Sequence, residues 1–172
     1  MVRTIRPRSL IAASLVLAAT PALAGPDKVG YPMDKGVLYG VVDRADVKQV
    51  RELYAPKAVV DAVKGGKPIP AKAPLTMFLY KAKVDDKGEP VKDAKGRFEK
   101  GDAIAHFVME KGAGWGSEYG ADLRNGEWEY RAFAPDGKPN EKADLKPCFT
   151  CHLKMQSQDF VFSVPQMKTA AK

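Results

Sequence analysis

Residues 148–152 read Cys-Phe-Thr-Cys-His, and they contain both cysteines and one of the two histidines of the chain. Two thiols three positions apart close almost no loop, so a disulfide between them would contribute little, and the fold has to be held by apolar burial. Two cysteines and two histidines scattered at random over 172 positions would form this pattern in about one chain in 7,000. The spacing has a chemical reason. On a helical turn the thiols of Cys148 and Cys151 share a face, where they can reach the two vinyl groups of a haem and form thioethers. The imidazole of His152 is then carried to the iron. Two other readings compete. A zinc site needs four ligands, and only His106 remains as a further histidine; the adjacency of Cys151 and His152 also suits a tetrahedron poorly. A dithiol redox pair needs an activated cysteine at a helix N-terminus, usually after a strand, whereas Pro147 and a charged loop precede this one. One covalently attached haem c on Cys148 and Cys151, with His152 as axial ligand, is the preferred reading.

The N-terminus points to export. Residues 1–9 carry Arg3, Arg6 and Arg8 without an acidic residue, residues 10–20 are apolar, and Ala22-Leu23-Ala24 is a small-residue cleavage site. The apolar run is too short to span a bilayer. A signal peptide over residues 1–24 and a periplasmic destination are therefore expected, which agrees with haem attachment outside the cytoplasm. Cleavage removes three arginines and no acid, so the net charge falls from +7 to about +4. Lysines are spread along the chain without a basic block interleaved with aromatics, which speaks against nucleic acid as a partner. No later segment is apolar for long enough to cross a membrane. Residues 25–36, rich in Gly, Pro, Asp and Lys, read as a loosely held arm, and residues 37–172 as a single domain.

Residues 37–42 are β-prone. Residues 47–54 alternate Val47, Gln49, Arg51 and Leu53 against Lys48, Val50, Glu52 and Tyr54, a mixed pattern read as a strand. Pro56 suits the first position of a short helix that buries Val59, Val60 and Val63 and stops at Gly65-Gly66. Residues 75–84 form a strand after three prolines, with Met77 and Leu79 on one side and Phe78 and Tyr80 on the other. Residues 85–101 read as an exposed hairpin with turns at Gly88 and Gly96; their acidic residues do not follow EF-hand order. Residues 103–110, apolar on both faces, suggest a central strand, and residues 112–126 a glycine-rich loop or distorted helix. Residues 127–133 alternate cleanly, Trp128, Tyr130 and Ala132 against Glu127, Glu129 and Arg131, as in a half-buried strand. A short helix is expected within residues 144–155, with a last apolar patch at residues 160–162. The sum is an α+β domain built on an antiparallel sheet of about five strands.

The sixth position on the iron decides the function. Histidine or methionine there makes an electron carrier, and an open face makes a site for small ligands or catalysis. His106 reads as a satisfied core histidine. Met77, Met109 and Met167 read as core packing, and Met155 lies too close to His152 to reach the opposite face.

Beyond Cys148 to His152, the strings Val50-Arg51-Glu52-Leu53-Tyr54-Ala55-Pro56, Pro68-Ile69-Pro70, Leu75-Thr76-Met77, Glu127-Trp128-Glu129-Tyr130 and Asp159-Phe160-Val161-Phe162 resemble the cytochrome P-460 and cytochrome c-prime-beta family, over residues 37–163. The resemblance implies a mostly antiparallel β fold, often a homodimer, around a five-coordinate c-haem with a distal pocket built from the sheet. One branch of the family cross-links a lysine to the haem and oxidises hydroxylamine. The other lacks the lysine, has aromatic distal pockets and binds nitric oxide. Here Met77 stands where the cross-linking lysine is expected; Lys81 lies about 13 Å further along the strand, and Lys72 precedes Pro74. Met77 and Phe78 are then candidates for an apolar distal wall, of which one can face the haem. The leading expectation is a periplasmic mono-haem cytochrome that binds nitric oxide or a related small nitrogenous ligand, with a redox protein as a further possible partner. The alternatives are a hydroxylamine- or nitric oxide-oxidising enzyme and a low-spin electron-transport cytochrome. Glu141, Lys142 and Asp144 near the motif read as a solvated loop.

Overall fold

The computed structural model describes residues 25–170, so the leader expected at residues 1–24 lies outside them. Five strands run antiparallel in chain order: β1 (Val37–Arg44), β2 (Gln49–Ala55), β3 (Leu75–Ala82), β4 (Lys100–Lys111) and β5 (Trp128–Phe133). Three short helices complete the expected α+β fold: α1 (Lys57–Lys64) between β2 and β3, and α2 (Lys146–His152) and α3 (Val164–Thr169) after β5. Among the described residues no helix is long and apolar enough to cross a membrane.

Local chemistry accounts for the element ends. A 3-10 turn, Ala45–Val47, and a left-handed Lys48 reverse the chain after β1, so β2 starts at Gln49 rather than at Val47. Pro56 caps α1 instead of entering it, Val59, Val60 and Val63 are buried on one face, and Gly66 at φ +73° ends the helix as its lack of Cβ allows. Strand β3 stops at Ala82, two residues short of expectation, and Val84 makes only an isolated bridge to Pro90. The expected hairpin proves to be two tight turns of the same chemistry. Asp85 accepts from Lys87 and Glu89 N–H, Asp93 accepts from Lys95 and Arg97 N–H, and Gly88 and Gly96 take positive φ. The segment after β4 is a loop of turns, and α2 is followed by a 3-10 turn, Leu153–Gln158.

Both faces of the sheet are covered. On one, Ala55, Leu75, Met109, Trp128 and Tyr130 pack against α1, α2 and α3 through Val59, Val60, Phe149 and Met167. On the other, Val29, Val108, Trp115 and Phe133 form a second cluster joined by Tyr31. This second layer corrects two expectations. The arm is tied down: Val29 is fully buried, and Arg131 donates to the Val29 carbonyl at 3.3 Å. Strand β5 is buried on both faces, since the arm and the loop after β4 cover the side on which Glu129 lies. Strand β4 is an interior strand, as its apolar residues suggest, paired with β3 on one side and β5 on the other.

The second cluster should carry real stability. Phe133→Ala is expected to lower the unfolding free energy by about 3–5 kcal/mol. Leu38→Ala, at a side chain 47% exposed, should change it by less than about 0.5 kcal/mol. Urea denaturation of the two variants checks the contrast.

Candidate haem site

Helix α2 opens with Asp144 accepting the Lys146 N–H at 3.0 Å and with Pro147 in its first turn, where a missing N–H does no harm. One turn then presents Cys148 and Cys151 at i and i+3, with His152 next. Cys148 is half-buried, Cys151 is exposed, and both thiols are free. Phe149 points the other way, into the core, with its ring 4.7 Å from those of Tyr119 and Tyr130. Asn125, fully buried, donates to the Tyr130 hydroxyl at 2.8 Å and to the Phe149 carbonyl at 3.1 Å, which anchors the helix to β5.

His152 is held on three sides. Its Nδ1 lies 2.7 Å from the Phe160 carbonyl oxygen, an acceptor, so Nδ1 carries the proton and Nε2 is the nitrogen left for a metal. The rings of Tyr130 and Phe162 meet it edge-on, each with centroids 5.1 Å away. Burial pushes the imidazole below its ordinary pKa against the opposing pull of the Phe160 carbonyl, which favours the neutral form that binds iron. Burial also raises the Cys148 thiol, with the Cys151 charge second. A dithiol redox centre needs the opposite shift.

The three motif residues line a cavity of about 790 Å³ between α2 and the sheet. The sheet side is built by residues in register across three strands: Leu53, Met77 and Phe107 form one row, and Arg51 and Leu79 the next. Met109, Phe162 and Gln166 add to the lining. Among the described residues no lysine lines this cavity, and no cluster of three or more His, Cys, Asp or Glu side chains is arranged to hold a metal ion, as a zinc site would need.

The other residues singled out in the sequence divide by strand parity. Met77 faces the cavity. Phe78 faces the opposite side of the sheet, 1% exposed, edge-on to Tyr54 and with its ring 4.1 Å from that of His106. His106 is buried there too, 3.0 Å from the Tyr31 hydroxyl, so it is a satisfied core histidine remote from the cavity. Met109 borders the cavity, whereas Met155 and Met167 do not. Lys72 stacks 3.8 Å from the Trp115 ring on the far face, and Lys81 lies exposed beyond Leu79. Glu141 pairs with Arg131 at 2.9 Å, and Asp144 accepts the Lys146 N–H in the turn before α2.

Sequence reasoning passed over Arg51 and Gln166. Arg51 is half-buried against the cavity, its Nε has no hydrogen-bond partner, and burial, then the charge of Arg44, depresses its pKa. Arg44 and Arg131, which also line the cavity, are paired with Asp46 and with Asp27 and Glu141. The alternation of residues 47–54, with Arg51 on the side of Leu53, was the signal that could have found it. A half-buried guanidinium with an unpartnered Nε, two free thiols and an imidazole with one nitrogen to spare suit a large, flat, apolar group that carries carboxylates and a metal. That is a description of haem.

Fold and site together define a haem cytochrome built on an antiparallel sheet. A family model for Cytochrome P460 matches residues 30–163, and the chain belongs to the cytochrome P460 family, which implies a haem cofactor. No curated protein matches the chain.

On the opposite face of β5, under the loop after β4, Glu129 is fully buried, accepts the Tyr119 O–H at 2.9 Å and leaves Oε1 without a partner. Burial, opposed by the Tyr119 bond, pushes its carboxyl up to about 7 from 4.5. A folded-state value above the unfolded one means that the native state holds this proton longer. The associated stability is therefore full below pH 4.5 and is lost as pH rises through about 7. Urea unfolding of the wild type should show this decline relative to Glu129→Gln; parallel pH profiles would contradict it.

Proposed function

We propose that the protein is an exported mono-haem c-type cytochrome, bound through thioethers to Cys148 and Cys151 and through His152 Nε2, that binds nitric oxide or a related small ligand on the sheet side of its cavity. The observation that carries this reading is the composition of that side: Leu53, Met77, Leu79 and Phe107 offer no histidine or lysine. When bound, a c-type haem would supply an iron able to take one small ligand. The chain's own residues do the rest. The Phe160 carbonyl, with Tyr130 and Phe162, keeps the His152 ring in one orientation and one tautomer. The apolar row across β2, β3 and β4 excludes water and selects by size. Arg51 provides the cation that an anionic edge requires. The lack of a lysine in the lining weighs against the cross-linked, hydroxylamine-oxidising branch. A leader over residues 1–24 would deliver the chain to the periplasm, where haem attachment takes place.

Optical spectra of the purified protein test the reading. A high-spin ferrous spectrum that shifts on addition of nitric oxide is expected, with a tryptic peptide containing residues 148–152 that gains the mass of one haem. A sharp low-spin spectrum indifferent to nitric oxide would instead mean a methionine on the iron, with Met77 or Met109 first to be replaced. His106→Ala should leave the spectrum unchanged, because the sheet separates it from the cavity; a change from low to high spin would overturn that placement.

A further inference from the structure

The carbonyl that accepts the His152 N–H lies in a strained turn. Asp159 and Phe160 both adopt left-handed backbone, with φ of +52° and +60°, and neither is glycine. Within the turn, Phe160 N–H donates to the Met155 carbonyl at 2.9 Å and Asp159 N–H to the Gln156 carbonyl at 3.2 Å. The tie to the sheet is the Asp159 carboxylate. It accepts from Lys111 Nζ at 2.6 Å and from Trp128 Nε1 at 3.3 Å. Both donors are fixed: Lys111 ends β4, Trp128 begins β5, and the two are paired in register. Trp128 is fully buried, and the Lys111 ammonium lies 5.3 Å from the centre of its ring.

A carboxylate clamped to the sheet therefore belongs to the residue that immediately precedes the carbonyl facing His152. We propose that Asp159 is a positioning residue: gripped by Lys111 and Trp128, it locks the Phe160 carbonyl against His152 Nδ1–H and so sets how strongly the imidazole donates to the haem iron. The proposal rests on the reading that His152 is the axial ligand. A short, fixed bond at Nδ1 gives the ring imidazolate character and a more basic Nε2. That strengthens the iron–histidine bond and favours the ferric state over the ferrous. A carboxylate that merely anchored the turn would leave the iron–histidine bond alone and act on the potential only through its charge.

Three holoprotein variants separate the two roles. Asp159→Asn keeps the shape and one acceptor oxygen but loses the charge. Asp159→Gly removes the carboxylate while relaxing the left-handed backbone. Lys111→Gln removes one donor charge from the sheet side and serves as the test if loss of Asp159 prevents folding. The expected result is a shift of the ferrous iron–histidine stretching band to lower frequency in resonance Raman spectra. A rise in the reduction potential should accompany it, largest for Asp159→Gly and smallest for Lys111→Gln. Wild-type band positions and potentials in the folded variants would overturn the proposal and leave Asp159 as a turn anchor. If the ferrous wild type is six-coordinate and shows no such band, the open-site reading fails by that fact alone. The potential is measurable in either coordination state, and Lys111→Gln decides the role: loss of a positive charge alone would lower it, so a rise marks positioning and a fall overturns it.

Discussion

The hydrogen bond from His152 Nδ1–H to the Phe160 carbonyl is the contact on which the site depends. At 2.7 Å it assigns the proton to Nδ1 and leaves Nε2 as the nitrogen free to bind a metal. Helix α2 could not do this alone: seven residues are too few for a helix to be stable in isolation, and its orientation comes from what it packs on. Phe149 wedged between Tyr119 and Tyr130, and Asn125 bonded to its carbonyl, supply that orientation. The backbone on the acceptor side is costly. A left-handed non-glycine residue is disfavoured by about 1–2 kcal/mol, and two occur in succession. The side-chain ties around Asp159 offset a cost that a simple connection would have avoided.

The same sheet serves two environments, and strand parity assigns each residue to one of them. Along β3, Met77 and Leu79 meet the cavity while Phe78 meets His106. Along β2, Arg51 and Leu53 meet the cavity while Glu52, on the other face, binds Lys100. A slip of one residue would exchange every such pair, placing Phe78 in the cavity and Met77 in the far layer. The arm and the loop after β4 are what make the far layer a core rather than a wet surface, so residues distant from the cavity hold its register. Val29, Tyr31 and Trp115 act on the cavity only by this indirect route.

The fold was legible because the period-two runs and the turn residues agreed, and residues 148–152 stood out because their spacing is so improbable by chance. Several features were not. Glu129 reads as solvent-facing from its alternation with Trp128 and Tyr130, yet it is buried, because alternation reports that two faces differ without saying what covers either. The arm reads as loose from its composition, but one valine and one tyrosine suffice to dock it. Met77 and Phe78 are neighbours, and the choice between them required the register with β2 and β4. The role of the Phe160 carbonyl had no side-chain signature at all, since any residue supplies a carbonyl and only the turn aims it.

Arg51 connects the stability of the fold to the filling of its cavity. An unpaired polar group in a buried setting costs about 1–3 kcal/mol, and guanidinium cannot escape that cost by losing its proton. Gln166 adds a second buried polar atom, Oε1, without a partner at the same cavity. The wall around them is apolar, so neither atom finds compensation from the protein itself. A group that brings anionic oxygens to Arg51 and covers Leu53, Met77 and Phe107 relieves the deficit at Arg51, while Gln166 Oε1 needs a donor instead, and a ligand that binds only the folded state adds its binding free energy to folding. An anionic cofactor seated against Arg51 would therefore stabilise the fold as well as fill its cavity.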